Sequence, residues 1–276
     1  VRHGGLAVRR VTFYVRNFDT SPTSVRFTHL LGRYSHLSLI CVLALVAVFH
    51  LATLREGHMW GDDFAMYIGH ARNIVEGHPY ADTGYIFNPA VAVYSPTNYP
   101  PVFPLLLAPL YKFFGLNLMP MKVEQMIFFL LTLMLVHTMW RRELGSPYAL
   151  LLTAILGFNP VFWSAKEAIL SDVPFLFFFY LFAVLVQWNP QGTRYAWIRG
   201  LLIGAALYLN IGTRSVGLAL VPGFLLYDTI KDKQISRSAW IALSLCATAM
   251  IAQSHFVRAM PVSYLQQAHV VTPTTI

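Results

Sequence analysis

Apolar residues arrive in long blocks separated by short polar punctuation. Near-continuous hydrophobic runs occupy residues 37–54, 124–140, 148–163, 169–188 and 239–256. At roughly 17–20 residues, such a run is long enough to cross the hydrocarbon core of a bilayer as a helix. The runs lack the period-two alternation that barrel strands require. Two shorter apolar pieces, 200–211 and 215–228, are predicted to fold up and back around Thr213 and Arg214. The fold class read from this pattern is all-α: a polytopic transmembrane helix bundle of about seven spans.

One stretch interrupts the apolar blocks. Between the first two spans lies a polar, aromatic-rich loop, 55–123, too long for a simple connector and therefore expected to be functional. Within it, Phe64, Tyr67, Ile68, Ala71, Ile74 and Val75 follow the i, i+3, i+4, i+7 template. They predict an amphipathic helix over Asp63–Glu76 lying in the interface, with Gly77 as its stop. A second such helix is predicted to open at Pro101 and run through Val102–Phe114 to Gly115. Between the two, Tyr80, Tyr85, Phe87, Tyr94 and Tyr99 supply the amphipathic rings of a membrane–water boundary.

Composition agrees: 56% hydrophobic and 12% charged residues, with a mean hydropathy of +0.54, exclude an ordinary soluble domain. Charge adds orientation. With the N-terminus inside, the segments 1–36, 141–147, 189–199 and 228–238 hold thirteen of the twenty Lys and Arg and four of the twelve acids. That bias places them on the cytoplasmic side and the long loop outside. The net charge of +8 thus reports topology and contact with anionic lipid, not nucleic acid, because the basic residues form no single patch. The domain reading is a disordered basic cytoplasmic tail, 1–36, a transmembrane domain, 37–256, and a polar tail, 257–276. Cys41 and Cys246 fall within spans and read as small packing residues.

The candidate chemistry sits at the membrane face. Asp62 and Asp63 open the long loop, and acids at such a position are functional-site hypotheses by default. The plainer alternative is an N-cap, which one aspartate would satisfy. Asp172, opening the fourth span on the same outer side, reads as a cap or as a cap that also holds a ligand. Arg214, at the tip of the hairpin, reads as a snorkelling anchor or as a phosphate contact, for which a guanidinium fork is suited. Lys166 and Glu167 read as a solvated pair, or Lys166 as a further cation toward a substrate. His58, His70 and His78 match no compact metal motif and read as polar rim. No cofactor is expected, although carboxylates admit a magnesium or manganese ion.

Several motifs resemble those of a known family. The run Trp60–Tyr80 is similar to the first outer loop of bacterial GT-C glycosyltransferases of the aminoarabinose transferase and protein O-mannosyltransferase group. Tyr99–Leu107 resembles the start of their second juxtamembrane helix, Ile169–Phe175 the opening of their fourth span, and Gly200–Pro222 their fifth and sixth. The resemblance spans residues 37–256. It implies an enzyme of the bacterial inner membrane that moves a sugar from a polyprenyl-phosphate donor to a lipid, glycan or protein acceptor at the outer face. It also implies Asp63 as general base or acceptor-orienting group, with Asp62 as its neighbour and Asp172 in support. Arg214, Tyr67, Tyr99, Lys166 and Arg72 are the implied substrate contacts. Tyr99 stands where aminoarabinose-type members carry a phosphate-holding lysine, which shifts that role toward Arg214, and Phe64 stands where some members carry a second acid. Members of the group continue for further spans, so a C-terminally truncated form is expected. Two other readings remain: a non-catalytic membrane subunit, or a transporter or flippase for lipid-linked sugars. The second would want acids buried along a pathway, whereas here they fall in loops.

Overall fold

The computed structural model describes residues 35–58, 63–84, 98–188 and 193–257. Expectations for the N-terminal tail up to residue 34, for Asp62, Tyr85, Phe87 and Tyr94, and for the tail beyond Val257 lie outside the described residues. All regular structure among the described residues is helical: α1 (Ser35–Ala52), α2 (Phe64–Glu76), α3 (Val102–Phe114), α4 (Leu118–Leu144), α5 (Ser146–Gly157), α6 (Pro160–Ala165), α7 (Asp172–Gln187), α8 (Thr193–Thr213), a 3-10 turn (Ser215–Ala219), α9 (Leu220–Asp232) and α10 (Arg237–Phe256).

The protein is a helical membrane bundle. Helix α4, and α8 from Tyr195 to Thr213, are long and apolar enough to cross a bilayer. Large apolar side chains face outward on several helices, among them Leu37, Ile40 and Leu45 on α1, Leu151 and Ile155 on α5, and Trp240 and Ile251 on α10. An apolar surface of that extent belongs in lipid.

Two spans differ from the sequence expectation. The run 148–163 is not one helix: α5 stops at Gly157 after 12 residues. Asn159 then caps α6, accepting from Val161 N at 2.8 Å, with Pro160 in the first turn. The piece expected over 200–211 is a full helix of 21 residues, α8, that starts at Thr193. Arg199, expected in a cytoplasmic connector, is therefore inside the bundle. It is 5% exposed and donates to Val186 O at 2.9 Å and Ser238 Oγ at 2.8 Å. Ser238 Oγ contacts Ser236 Oγ, which donates to the buried Asp228, so a chain of hydrogen bonds links the arginine to that carboxylate across three helices. Glu124 also departs from the loop-only pattern of acids, since it lies in α4 with Oε2 buried and unpartnered.

Close approach, more than area, holds α8 to α10. A Cβ on Gly200 would stand 2.8 Å from Ser238 O, and one on Gly204 would stand 2.6 Å from Ala242 O. This small-residue spacing lets helix backbones touch where lipid removes the hydrophobic drive. The core of this half holds Phe182, Ile203, Leu207, Phe224, Ala239, Ala242 and Cys246. A second core joins α1, α4 and α7 through Val46, Phe129, Leu133 and Val173. His50 Nε2 meets Gly157 O at 2.9 Å and fixes α1 to the end of α5. Cys41, unlike Cys246, is exposed.

The two interfacial helices form as the sequence predicts. Gly77 ends α2 at φ 73°, a left-handed cap that a side chain would strain. Helices α2 and α3 pack Tyr67, Ile68, Ala71, Phe103 and Leu107 together with Met121 of α4 and Ile169 of the α6–α7 loop. Val102 lies so near Gly212 of α8 that a Cβ there would come within 2.5 Å of its methyl carbon. The platform is thereby seated on the end of the bundle where α8 stops.

Candidate functional site

Asp63 occupies the N-cap position of α2, but its side chain makes no capping hydrogen bond. The turn is closed by its backbone carbonyl, which accepts from Met66 N at 3.0 Å and Tyr67 N at 3.2 Å. The carboxylate is left exposed at the head of the helix.

One turn further on, Tyr67 is 4% exposed and packs against Tyr99 and Phe103 with ring centroids 4.6 and 4.9 Å away. Its hydroxyl shares a hydrogen bond of 2.8 Å with Ser171 Oγ. Burial pushes the phenol up to about 12, opposed by the Ser171 bond. The charges of Asp63 and Asp172 push it further up and that of Arg214 pulls it down, so all three ionic groups are felt at one hydroxyl. Tyr67 is accordingly neutral at physiological pH.

Asp172 is not the cap of α7; Ser171 holds that position, without a side-chain cap bond. The Asp172 carboxylate instead pairs with Arg214 Nη1 at 2.5 Å, the two side chains 61% and 39% exposed. An ion pair so open adds little stability. Its significance is positional, because it ties the start of α7 to the turn after α8. The turn itself depends on Gly217: a Cβ there would stand 2.8 Å from the Asn210 carbonyl carbon. Its amide donates to Arg214 O at 2.9 Å.

The structure thus gathers Asp63, Tyr67, Tyr99, Asp172 and Arg214 at one end of the bundle. It takes two other candidates elsewhere. Arg72 lies five positions from Tyr67, roughly 140° around the helix, and pairs with Glu76 at 2.8 Å on an exposed face. Tyr111 OH donates to the same Glu76 at 3.3 Å.

Lys166 and Glu167 are not a solvated pair. Lys166 is 3% and Lys122 1% exposed. Lys166 donates to Thr53 O at 2.9 Å and to Glu167, and sits over the Trp163 ring at 5.0 Å. Lys122 donates to Arg55 O at 2.9 Å, Gly57 O at 2.6 Å and Glu167 Oε2 at 2.9 Å. All three donors of Lys122 are thereby used, and Lys166 spends two on Thr53 and Glu167 while its buried ammonium lies over the Trp163 ring, so both cations are committed within the protein. Burial alone would raise the Glu167 carboxyl, but the bonds from Lys166 and Lys122 outweigh it and hold it below its ordinary value. This knot joins the ends of α1 and α6 to α4. The signal in the sequence was Lys122, a cation at the head of an apolar run, where a partner is required.

Two of the three histidines, His58 and His70, are structural, while His78 is an exposed rim residue 3.4 Å from Glu76. His70 is fully buried, stacked on Tyr80 with centroids 4.2 Å apart, its Nδ1 2.8 Å from Tyr80 O and its Nε2 accepting from Tyr99 N at 3.4 Å. Burial lowers its pKa, with the carbonyl bond opposing. His58 Nε2 accepts from Ile169 N at 2.9 Å. Among the described residues no three His, Cys, Asp or Glu side chains come together as a metal donor set.

Beside the site, a cavity of about 520 Å³ opens between the platform and the bundle. Tyr80, Pro101 and Leu105 wall one side, and Tyr208 and Gln253 the other. The Gln253 Oε1 atom is buried without a hydrogen-bond partner.

No curated protein and no solved structure matches the chain. A family model described as dolichyl-phosphate-mannose-protein mannosyltransferase matches residues 38–262, a region that takes in both interfacial helices, Asp63, Asp172 and Arg214. The chain belongs to that mannosyltransferase family.

Proposed function

We propose that the protein transfers a sugar from a polyprenyl-phosphate donor to a hydroxyl acceptor at the outer face of the membrane. The end of the bundle bearing α2 and α3 is that outer face, as the charge bias along the sequence favours. The observation that carries the reading is the Arg214–Asp172 pair set against the same Tyr67 hydroxyl that feels Asp63. In one displacement, the acceptor oxygen attacks the anomeric carbon while its proton passes to the Asp63 carboxylate. The bond from that carbon to the phosphate oxygen breaks, and the leaving lipid phosphate takes the electron pair. Arg214 meets the charge that develops there. Only Nη1 of the guanidinium is engaged by Asp172, so further donors of the fork remain for phosphate oxygens. Asp172 holds the fork in place, and neutral Tyr67 supports the floor beneath it. The family description makes mannose the first sugar to offer.

The test is transfer from polyprenyl-phosphate mannose to hydroxyl acceptors in proteoliposomes. Asp63→Asn keeps shape and removes the base, and turnover should fall by roughly 10²-fold or more. Normal transfer by that variant would remove Asp63 from the chemistry.

A further inference from the structure

His58 lies on the segment between α1 and α2. This imidazole touches both halves of the site. Its ring stacks on Phe64, with centroids 3.7 Å apart and planes inclined by 21°, and Phe64 follows Asp63 directly. Its Nε2 accepts the Ile169 amide at 2.9 Å, and Ile169 is fully buried three positions before Asp172. From α2 itself, Tyr67 hydrogen-bonds to Ser171 of the same loop. The backbone on the N-terminal side of His58 is fixed as well, since Lys122 grips the carbonyls of Arg55 and Gly57.

We infer that His58 is a positioning residue that holds the Asp63 carboxylate in register with the Asp172–Arg214 pair, by stacking on Phe64 while its Nε2 accepts the Ile169 amide. The inference rests on the proposed transfer for its catalytic consequence, but the contact itself stands apart from it. An amide N–H needs a lone pair to accept it, and Nε2 supplies one here. Without it the buried Ile169 amide loses its partner, and the Asp172 loop loses its link through His58 to Phe64 at the head of α2.

Two substitutions separate the acceptor from the ring. His58→Phe keeps an aromatic face for Phe64 and removes the lone pair. His58→Gln places an amide oxygen near the Nε2 position and restores an acceptor. Hydrogen–deuterium exchange on the full chain in lipid nanodiscs reads the Ile169 amide without any need for turnover. In the Phe variant it should exchange roughly 10-fold faster than in wild type, as loss of one buried hydrogen bond implies. The Gln variant should stay within about 2-fold of wild type. In transfer assays the Phe variant should lose kcat about 10-fold with donor KM little changed, and the Gln variant should retain kcat. Unchanged exchange in the Phe variant, equal deprotection in both variants, or unchanged turnover in an active Phe variant would each overturn the assignment. If exchange behaves as expected and no form of the chain transfers sugar, the proposed function fails while the His58 contact stands.

Discussion

Glu167→Gln is the most revealing single change to stability. Glu167 is the one carboxylate between two ammonium groups whose side chains are each 2% exposed, and its oxygens also accept the Arg55 amide at 3.2 and 3.4 Å. Glutamine keeps the shape and one acceptor oxygen but leaves both lysines without a counter-charge. Breaking a buried pair by neutralising one partner costs about 3–5 kcal/mol. The Glu167 side chain is 21% exposed, so the lower end, about 3 kcal/mol, is appropriate. For a chain of this size that corresponds to a fall in Tm of roughly 6–12 °C. Thermal unfolding in detergent, followed by intrinsic tryptophan fluorescence, measures it. The pH dependence has a definite sign. The folded carboxyl lies below its unfolded value, so its contribution is complete above the unfolded pKa of about 4.3 and is lost as pH falls through the folded one. The gap between wild type and variant should therefore close in acid. Lys122→Met combined with Glu167→Gln should recover part of the loss, because one stranded charge is gone. A Gln variant within about 2 °C of wild type at neutral pH would refute the knot as a paired, buried structure.

Arg214→Lys should weaken binding of a lipid-phosphate donor in a vesicle flotation assay, and Arg214→Ala should weaken it more, because an ammonium lacks the planar fork; equal binding by all three forms would return Arg214 to a snorkelling anchor. In a background lacking Cys41 and Cys246, an impermeant thiol reagent applied to intact cells should label a cysteine at Asp82 and spare one at Glu143; the reverse would invert the topology. Gly204→Val should cost about 1–3 kcal/mol or more by overpacking, since its Cβ would meet backbone atoms of Ala242 at 2.6 and 2.9 Å. Gly223→Val, a position with nothing within 4 Å of the added Cβ, is the control, and equal melting of the two would refute the close-packed α8–α10 seam.

Much of the fold was legible because lipid imposes one rule on every span. Apolar periodicity found α2, with Gly77 marking its end, and a first-turn proline at Pro101 with Gly115 as the stop found α3. Hydropathy alone could not find the break at Asn159–Pro160, since the residues on both sides are apolar and only the cap and proline distinguish them. It also began α8 too late, because Arg199 looks like a loop residue until Ser238 and the Val186 carbonyl are seen to receive it. In the site, Asp172 and Arg214 stood out separately as charges at a membrane face, but nothing local announces that they pair. Ser171 and His58 were passed over for a related reason: their roles lie in what they touch more than a hundred positions away. Lys166 was assigned outward because a Lys-Glu dipeptide reads as solvated, and the groups that hold the pair, the Thr53 carbonyl on Lys166 and Lys122 on Glu167, lie far away in the chain.

The joining of Asp63, Asp172 and Arg214 also sets a timetable for biosynthesis. Asp63 and Arg214 are separated by about 150 positions of chain, which at roughly 5–20 residues per second take a ribosome on the order of 10–30 s. Through that interval α2 and α3 have already emerged, yet Gly212, against which Val102 seats, has not been made. In that interval the platform can pack on Met121 and Ile169 but has no seat on α8. Assembly of the site is therefore a late event, timed by the arrival of α8, and a nascent chain arrested before residue 212 would hold its interfacial helices against α4 without the Arg214 half of the site.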